Sequence, residues 1–129
     1  MRYLLDTHVL IWFLLEDNEK ISTKLKKIIK DPKNDIYISI ATLWEITIKL
    51  NINKFVPEIE IEDFFSYLRN SSLILLNIEE KYLLEYRYLT LIHREPFDRL
   101  LIATAISENL TLITHDKKIQ EYPIKWLWE

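Results

Sequence analysis

Short apolar runs alternate along this chain with longer segments whose apolar residues recur at helical spacing. Runs such as 3–5 and 110–114 are mostly apolar and predict buried strands. The segment 19–30 instead places isoleucines and a leucine on one face and lysines on the other, which predicts an amphipathic helix. The predicted strands are 3–5, 36–38, 73–76, 110–114 and the edge strand 124–128, and the predicted helices are 8–15, 19–30, 39–50, 61–69, 79–89 and 96–108. Strands alternating with helices predict an α/β sandwich with a largely parallel sheet, whose ligands bind beyond the carboxyl ends of the strands.

The segment 39–50 predicts a mostly buried helix that carries a charged residue in its middle. Its apolar residues are Ile40, Leu43, Trp44, Ile46, Ile48 and Leu50. Glu45 lies among them, and burying a carboxylate without a partner is costly. Lys49 follows one helical turn later, but it supplies only one cation.

The chain has no glycine, so other residues must adopt the left-handed conformations that glycine normally takes at helix ends. Asn109, which follows the helical pattern of 96–108, is the predicted left-handed cap.

Composition narrows the class of protein. With 49% hydrophobic residues spread over the whole length, 1–129 is predicted to be a single domain. Because cysteine is absent, disulfides, thiolate metal sites and cysteine nucleophiles are excluded, and we expect a cytoplasmic location. The apolar run 8–15 is too short to span a bilayer, so we expect no targeting segment and no membrane association. The net charge of -3 argues against nonspecific coating of nucleic acid. If bound metal neutralised the four acids described below, however, the remaining surface charge would be nearly balanced and would permit local contacts to a nucleic acid.

Four carboxylates fall on the same predicted edge of the sheet. Asp6 follows the first strand directly, and Asp116 follows the strand that ends at Thr114. Glu45 is less than two turns into a helix that follows a strand, and Asp98 is in the first turn of another helix. Acids crowded together raise one another's pKa unless a cation keeps them ionised, and ligands that are all oxygen favour Mg²⁺ or Mn²⁺ over Zn²⁺.

Each acid also has an ordinary structural explanation. Asp6 can cap a helix, and Asp98 can complement a helix dipole. Asp116 can order a turn, and Glu45 can pair with Lys49. The residues alone leave open both a shared metal site and four separate structural roles.

Four stretches resemble the successive motifs of a known family. They are LLDTH at 4–8, ATLWEI at 41–46, HREPFDRLLIA at 93–103 and LITHD at 112–116. Their order and content are similar to those of PIN-domain ribonucleases, above all the VapC-like toxins of bacterial and archaeal toxin–antitoxin pairs. The resemblance covers essentially the whole chain, and the block from Pro96 to Ala103 is its most specific part. Glu95 replaces a more usual aspartate and Asn109 a more usual glycine, and neither departure touches the chemistry.

The resemblance implies a PIN-like three-layer sandwich and a divalent-metal-dependent endoribonuclease that hydrolyses RNA phosphodiester bonds. It also implies Mg²⁺ or Mn²⁺ as cofactor, a cognate antitoxin as protein partner, and a homodimer. The implied catalytic and metal-binding residues are Asp6, Glu45, Asp98 and Asp116, with Thr7 and Thr114 supporting them.

Several other residues are candidates for contacts. His8, Arg94 and Arg99 are candidate substrate contacts. Arg99 can instead form an ion pair with the acids. A histidine in apolar sequence, such as His8, is more often a core or capping residue. The same alternatives apply to His93. The aromatic residues Trp12, Phe13, Trp126 and Trp128 are predicted to be mostly core, and any exposed subset would form a docking surface.

Other functions fit the sequence less well. An aspartyl-phosphate phosphatase needs a second aspartate two residues after the nucleophile, but position 8 is a histidine. A phosphoacceptor receiver domain needs an aspartate after its central strand, and neither Ser39 nor Asn77 supplies it. A noncatalytic PIN-like module that binds protein or RNA remains the alternative, and the presence of all four acids argues against it.

Overall fold

A computed structural model describes residues 1–52 and 59–129. Its strands are β1 (Arg2–Leu5), β2 (Asp35–Ser39), β3 (Ile74–Leu76), β4 (Thr111–Ile113) and β5 (Trp126–Leu127). Its helices are α1 (Thr7–Leu14), α2 (Thr23–Lys30), α3 (Ile40–Asn51), α4 (Ile61–Arg69), α5 (Glu80–Arg87), α6 (Pro96–Glu108) and α7 (Lys117–Gln120). The strands form one sheet in the order β3-β2-β1-β4-β5, and each neighbouring pair is parallel. The predicted α/β fold with a parallel sheet is confirmed.

The central strand β1 is buried on both of its faces, because successive side chains of a strand point to opposite sides. Tyr3 and Leu5 belong to a core cluster that also contains residues of α1, α2, α3 and α4. Leu4 points to the other side and packs with Leu101 and Ile102 of α6. Helices therefore cover both faces of the sheet, which gives the predicted three layers.

Polar caps determine where several helices begin. The hydroxyls of Ser22 and Ser39 accept backbone N–H bonds at the starts of α2 and α3. The Glu95 carboxylate accepts bonds from Phe97 and Asp98 at the start of α6. At its other end, α6 stops at Asn109, whose φ of 55° and ψ of 49° are left-handed. The predicted cap at Asn109 is confirmed.

Other predictions about elements are corrected. The helix predicted to begin at residue 19 begins at Thr23, because the segment before it forms turns in which Asp17 accepts backbone bonds from Glu19 and Lys20. The helix α7 was not predicted, since four residues are too few to show a period.

Three residues predicted to be buried are exposed. Trp44 is 56% exposed and Ile48 37%, because α3 packs its other face, which carries Thr42 and Ile46, onto the core. Trp126, on the edge strand β5, is 43% exposed. No helix within the described ranges is long and apolar enough to cross a membrane.

Candidate active site

The structure brings the four predicted carboxylates together at the carboxyl edge of the sheet. Asp6 directly follows β1, and its backbone N–H still bonds to the Ile113 carbonyl of β4, at 3.1 Å. Asp116 follows β4, whereas Glu45 and Asp98 are carried by α3 and α6. All four are close enough for the charges of the other three to raise the pKa of Asp98.

Asp6 is the most deeply placed acid, with 4% of its surface exposed. Its Oδ2 accepts a hydrogen bond from the Thr114 hydroxyl at 2.8 Å. Its Oδ1 is buried and has no hydrogen-bond partner among the described residues. Burial raises the pKa of Asp6 despite the bond from Thr114. Because its side chain makes no capping bond to α1, the helix-cap explanation is not supported.

Glu45 is also buried, with 8% of its surface exposed, and only one of its two carboxylate oxygens has a partner among the described residues. Its Oε2 lies 3.1 Å from the Lys49 Nζ, so the pairing foreseen from the sequence exists. Its Oε1 is buried without a hydrogen-bond partner in the described parts of the chain. Lys49 therefore satisfies one oxygen and leaves the other free to bind a cation.

Asp98 carries a large electrostatic strain. Burial raises its pKa to about 8, and the negative charges of Asp6, Glu95, Glu45 and Asp116 act in the same direction. The first turn of α6 therefore does not offset the charges around this carboxylate.

His93 joins two of the acids. Its Nε2 lies 3.0 Å from an oxygen of Asp98 and 3.0 Å from an oxygen of Asp116. Its Nδ1 accepts the backbone N–H of Glu95 at 3.2 Å, so in the neutral ring the proton lies on Nε2 and points to the carboxylates. His93 is thus placed as a hydrogen-bond donor that holds Asp98 and Asp116 at a fixed separation.

Asp116 has two functions in this arrangement. Burial opposes ionisation, but bonds from His93 and from the backbone N–H groups of Ile119 and Lys118 lower its pKa overall. The bonds from Lys118 and Ile119 cap α7, so the turn-ordering explanation applies to one oxygen. The other oxygen faces His93 and the acidic site.

The remaining predicted site residues are distributed differently. Thr7 bonds to the Thr42 hydroxyl inside the protein, at 3.1 Å. His8 and Arg94 are exposed. Arg99 is only 8% exposed and donates to the carbonyls of Thr90 and His93 and to the Tyr122 hydroxyl. Arg99 therefore stabilises the backbone that precedes α6 and is not placed to contact substrate, contrary to the sequence-based expectation.

His93 was considered from the sequence only as a possible substrate contact or core residue, and its position between two acids was not predicted. Its signal was its place at the head of the HREPFDRLLIA block, five residues before Asp98. Periodicity gave no reason to choose its side chain over that of the neighbouring Arg94.

The residues present fit a hard divalent cation. The carboxylates are oxygen ligands, and within residues 1–52 and 59–129 the buried atoms Asp6 Oδ1 and Glu45 Oε1 lack the partners that buried polar atoms normally have. Atoms of His93, Asp98 and Asp116 also lie within 4.8 Å of one another, a spacing compatible with a metal. The bond from Glu95 to Nδ1 favours a proton on Nε2, however, so the imidazole is better placed to orient ligands than to be one.

Together, the fold and the site define an α/β protein with an acidic site at the carboxyl edge of a parallel sheet. The family model described as the PIN domain matches residues 3–125, and the chain belongs to that family. The resemblance recognised in the sequence is confirmed at this level.

Solved structures share the fold. A chain of the VapBC2 complex from Rickettsia felis, bound to a promoter DNA fragment, has 22% identity and a TM-score of 0.74, with 98% of each chain covered. A chain of DNA-bound VapBC from Salmonella typhimurium has 17% identity and a TM-score of 0.70, covering 98% of this chain and 97% of that one. A chain of a toxin–antitoxin complex from Klebsiella pneumoniae has 20% identity and a TM-score of 0.66, covering 98% and 96%. The comparison with curated proteins gives no match.

Proposed function

We propose that this chain is a divalent-metal-dependent endoribonuclease that hydrolyses RNA phosphodiester bonds. The observation that carries the proposal is the pair of buried carboxylate oxygens, Asp6 Oδ1 and Glu45 Oε1, that have no partner among the described residues at the point where Asp98 also lies. Buried carboxylates are costly unless they are paired or coordinate a metal. Membership of the PIN-domain family supports the nuclease assignment.

Each residue has a defined part in this proposal. Asp6, Glu45 and Asp98 would hold Mg²⁺ or Mn²⁺ directly, and Asp116 would act directly or through a water molecule. A bound divalent cation would lower the pKa of a water molecule and stabilise charge on the leaving oxygen. Thr114 fixes one oxygen of Asp6 and leaves the other for the cation.

The exposure of the acids gives the direction from which substrate approaches. The side chains of Asp98 and Asp116 are 15% and 33% exposed, whereas Glu45 is only 10% exposed. The phosphodiester would therefore reach the site over Asp98 and Asp116, and Asp6 and Glu45 would contact the cation from below.

We further propose that the chain is the toxin of a toxin–antitoxin pair. Its partners would be a cognate antitoxin and a second copy of itself, and it would act on RNA in the cytoplasm. The support is the shared fold with chains of VapBC and of other toxin–antitoxin complexes.

We also propose that residues 1–129 form one domain, since strands near both ends belong to one sheet.

The test is cleavage of single-stranded RNA by purified protein with Mg²⁺ or Mn²⁺. Cleavage should stop in excess EDTA and should be lost in Asp98→Asn. Asp63→Asn is the matched control, because Asp63 is likewise an acid in the first turn of a helix but is exposed on α4. Undiminished cleavage in EDTA, or equal cleavage by folded Asp98→Asn, would overturn the metal mechanism.

Growth of cells tests the toxin assignment. Expression of the wild type and of Asp63→Asn should arrest growth, and expression of Asp98→Asn should not. If all three proteins accumulate folded and none cleaves RNA or arrests growth, the alternative of a noncatalytic binding module is favoured.

A further inference from the structure

An aromatic and cationic surface adjoins the acidic site. We call it the aromatic surface, and it consists of His8, Trp12, Lys20, His115 and Trp128. The Trp12 ring lies 5.9 Å from His8, 6.2 Å from His115 and 6.0 Å from Trp128, measured between ring centroids. The Lys20 ammonium lies 5.8 Å from the centroid of the Trp12 ring.

The chain connects this surface directly to the acids. His115 lies between Thr114, which bonds to Asp6, and Asp116, which bonds to His93. His8 is two residues after Asp6, and its ring is near enough to the Asp6 carboxylate for the two groups to interact. A group bound at the acidic site would therefore have the aromatic surface beside it.

The members of the surface differ in burial in a way that fits binding. His8, Lys20 and His115 are exposed, whereas Trp12 and Trp128 are half-buried and pack against the core. The indoles are thus held in place by the protein, and the imidazoles and the ammonium face solvent. The acidic site needs none of these five side chains to hold a cation, so the metal chemistry does not account for them.

This combination of groups fits one kind of occupant. Sites for single-stranded nucleic acid combine aromatic rings, on which bases stack, with cations that follow the phosphates. In a duplex the bases are already stacked and paired, so only an unpaired base is free to stack on a protein ring.

We propose that the aromatic surface stacks an unpaired base of single-stranded RNA next to the phosphodiester held at the acidic site. This inference rests on the proposed function and names the part of the same site that selects single strands. Trp128 and His115 supply ring surface, and Lys20 supplies positive charge for neighbouring phosphates.

Binding to a short, fluorescently labelled, single-stranded RNA of mixed sequence tests the surface, with each variant made in the Asp98→Asn protein and measured in Mg²⁺. Trp128→Leu and His115→Ala should each weaken binding by roughly tenfold. His115 is exposed, so its replacement leaves the core intact if Trp128→Leu fails to fold. Tyr88→Leu is the matched control, because Tyr88 is an aromatic residue, 80% exposed, with the Arg87 guanidinium 5.4 Å from its ring, and it lies outside the aromatic surface.

The single-stranded RNA should also quench tryptophan fluorescence, and the same sequence as a duplex should not. Equal affinity of His115→Ala and the control, or equal quenching by duplex and single strand, would overturn the aromatic surface. RNA cleavage by the wild type is measured separately. If the wild type cleaves RNA but both variants bind it as tightly as the parent protein, the proposed function stands and this inference is wrong. If binding depends on the aromatic surface but the wild type cleaves no RNA, this inference stands and the proposed function is wrong.

Discussion

At the scale of single residues, the ionisation of Asp98 is strongly perturbed. Its pKa is raised from the usual 3.8 to about 8 by burial and by the surrounding negative charges. Between these two pH values the folded metal-free protein keeps a proton on Asp98 that the unfolded chain releases. The stability that this proton contributes is fully present below 3.8 and is lost as the pH rises through about 8.

Asp98→Asn should therefore stabilise the metal-free protein in a pH-dependent way. Near the lower pKa the wild type and the variant should unfold at similar temperatures, since both carry a neutral side chain at this position. As the pH rises from 3.8 towards 8, the variant should become progressively more stable than the wild type, by roughly 1 kcal/mol or more, and the difference should stop growing above about 8. Thermal unfolding in EDTA across this range measures the difference, with Asp63→Asn as control; a difference that does not change with pH would contradict the assignment.

His93 gives a second prediction, because one nitrogen holds two carboxylates. His93→Ala should lower the free energy of unfolding by about 1–3 kcal/mol, since charge-assisted hydrogen bonds are lost. It should also weaken Mn²⁺ binding by roughly tenfold, because Asp98 and Asp116 are no longer held in place. His93→Gln keeps an N–H donor and should recover part of both losses. Calorimetric titration with Mn²⁺ separates this role from simple packing, which predicts lower stability with unaltered metal affinity.

At the scale of helices and strands, local signals predicted some elements well. The helix α6 begins at Pro96 and ends before Asn109, as predicted, because both ends are fixed by residues with strong backbone preferences. The exposure of Trp44 could not be predicted, since an apolar helix does not show which of its faces meets the core. The acids could be assigned to one edge because each follows a strand or lies in the first two turns of a helix. The bridge made by His93 and the burial of Arg99 depend on contacts with other segments, which no local pattern contains.

Two left-handed residues in the described part of the chain lead to an element-scale prediction. Glu16, just after α1, has a φ of 54°, and Asn109 has a φ of 55°. This conformation costs a residue with a Cβ about 1–2 kcal/mol, although asparagine tolerates it better than glutamate. Glu16→Gly should therefore raise the free energy of unfolding by about 0.5–1 kcal/mol, after allowance for the greater freedom of glycine in the unfolded chain. Asn109→Gly should change it less, and urea unfolding compares the two; equal effects would contradict the argument.

At the scale of the whole molecule, the acidic site connects segments that are far apart in the chain. Asp6 and Thr114 are separated by 108 positions, yet they share a short hydrogen bond. Glu45 adds a third segment from the other side of β1, because α3 follows β2. Without metal, the repulsion among these acids opposes the folding of the sheet edge. A cation that binds only the assembled site would therefore stabilise the entire fold.

Asp6→Asn separates this arrangement from a merely structural role. Removing one negative charge from the cluster should raise the melting temperature of the metal-free protein. Mn²⁺ at a hundred times its dissociation constant should stabilise the wild type by about 2.7 kcal/mol, and the gain should shrink in Asp6→Asn as affinity falls. A residue that only capped α1 would give neither effect, since asparagine caps about as well as aspartate. Thermal unfolding of both proteins, with EDTA and with millimolar Mn²⁺, gives four melting temperatures to compare. If all four are the same, the carboxylates do not form a metal site, and Asp63→Asn measured alongside shows how much any surface acid contributes.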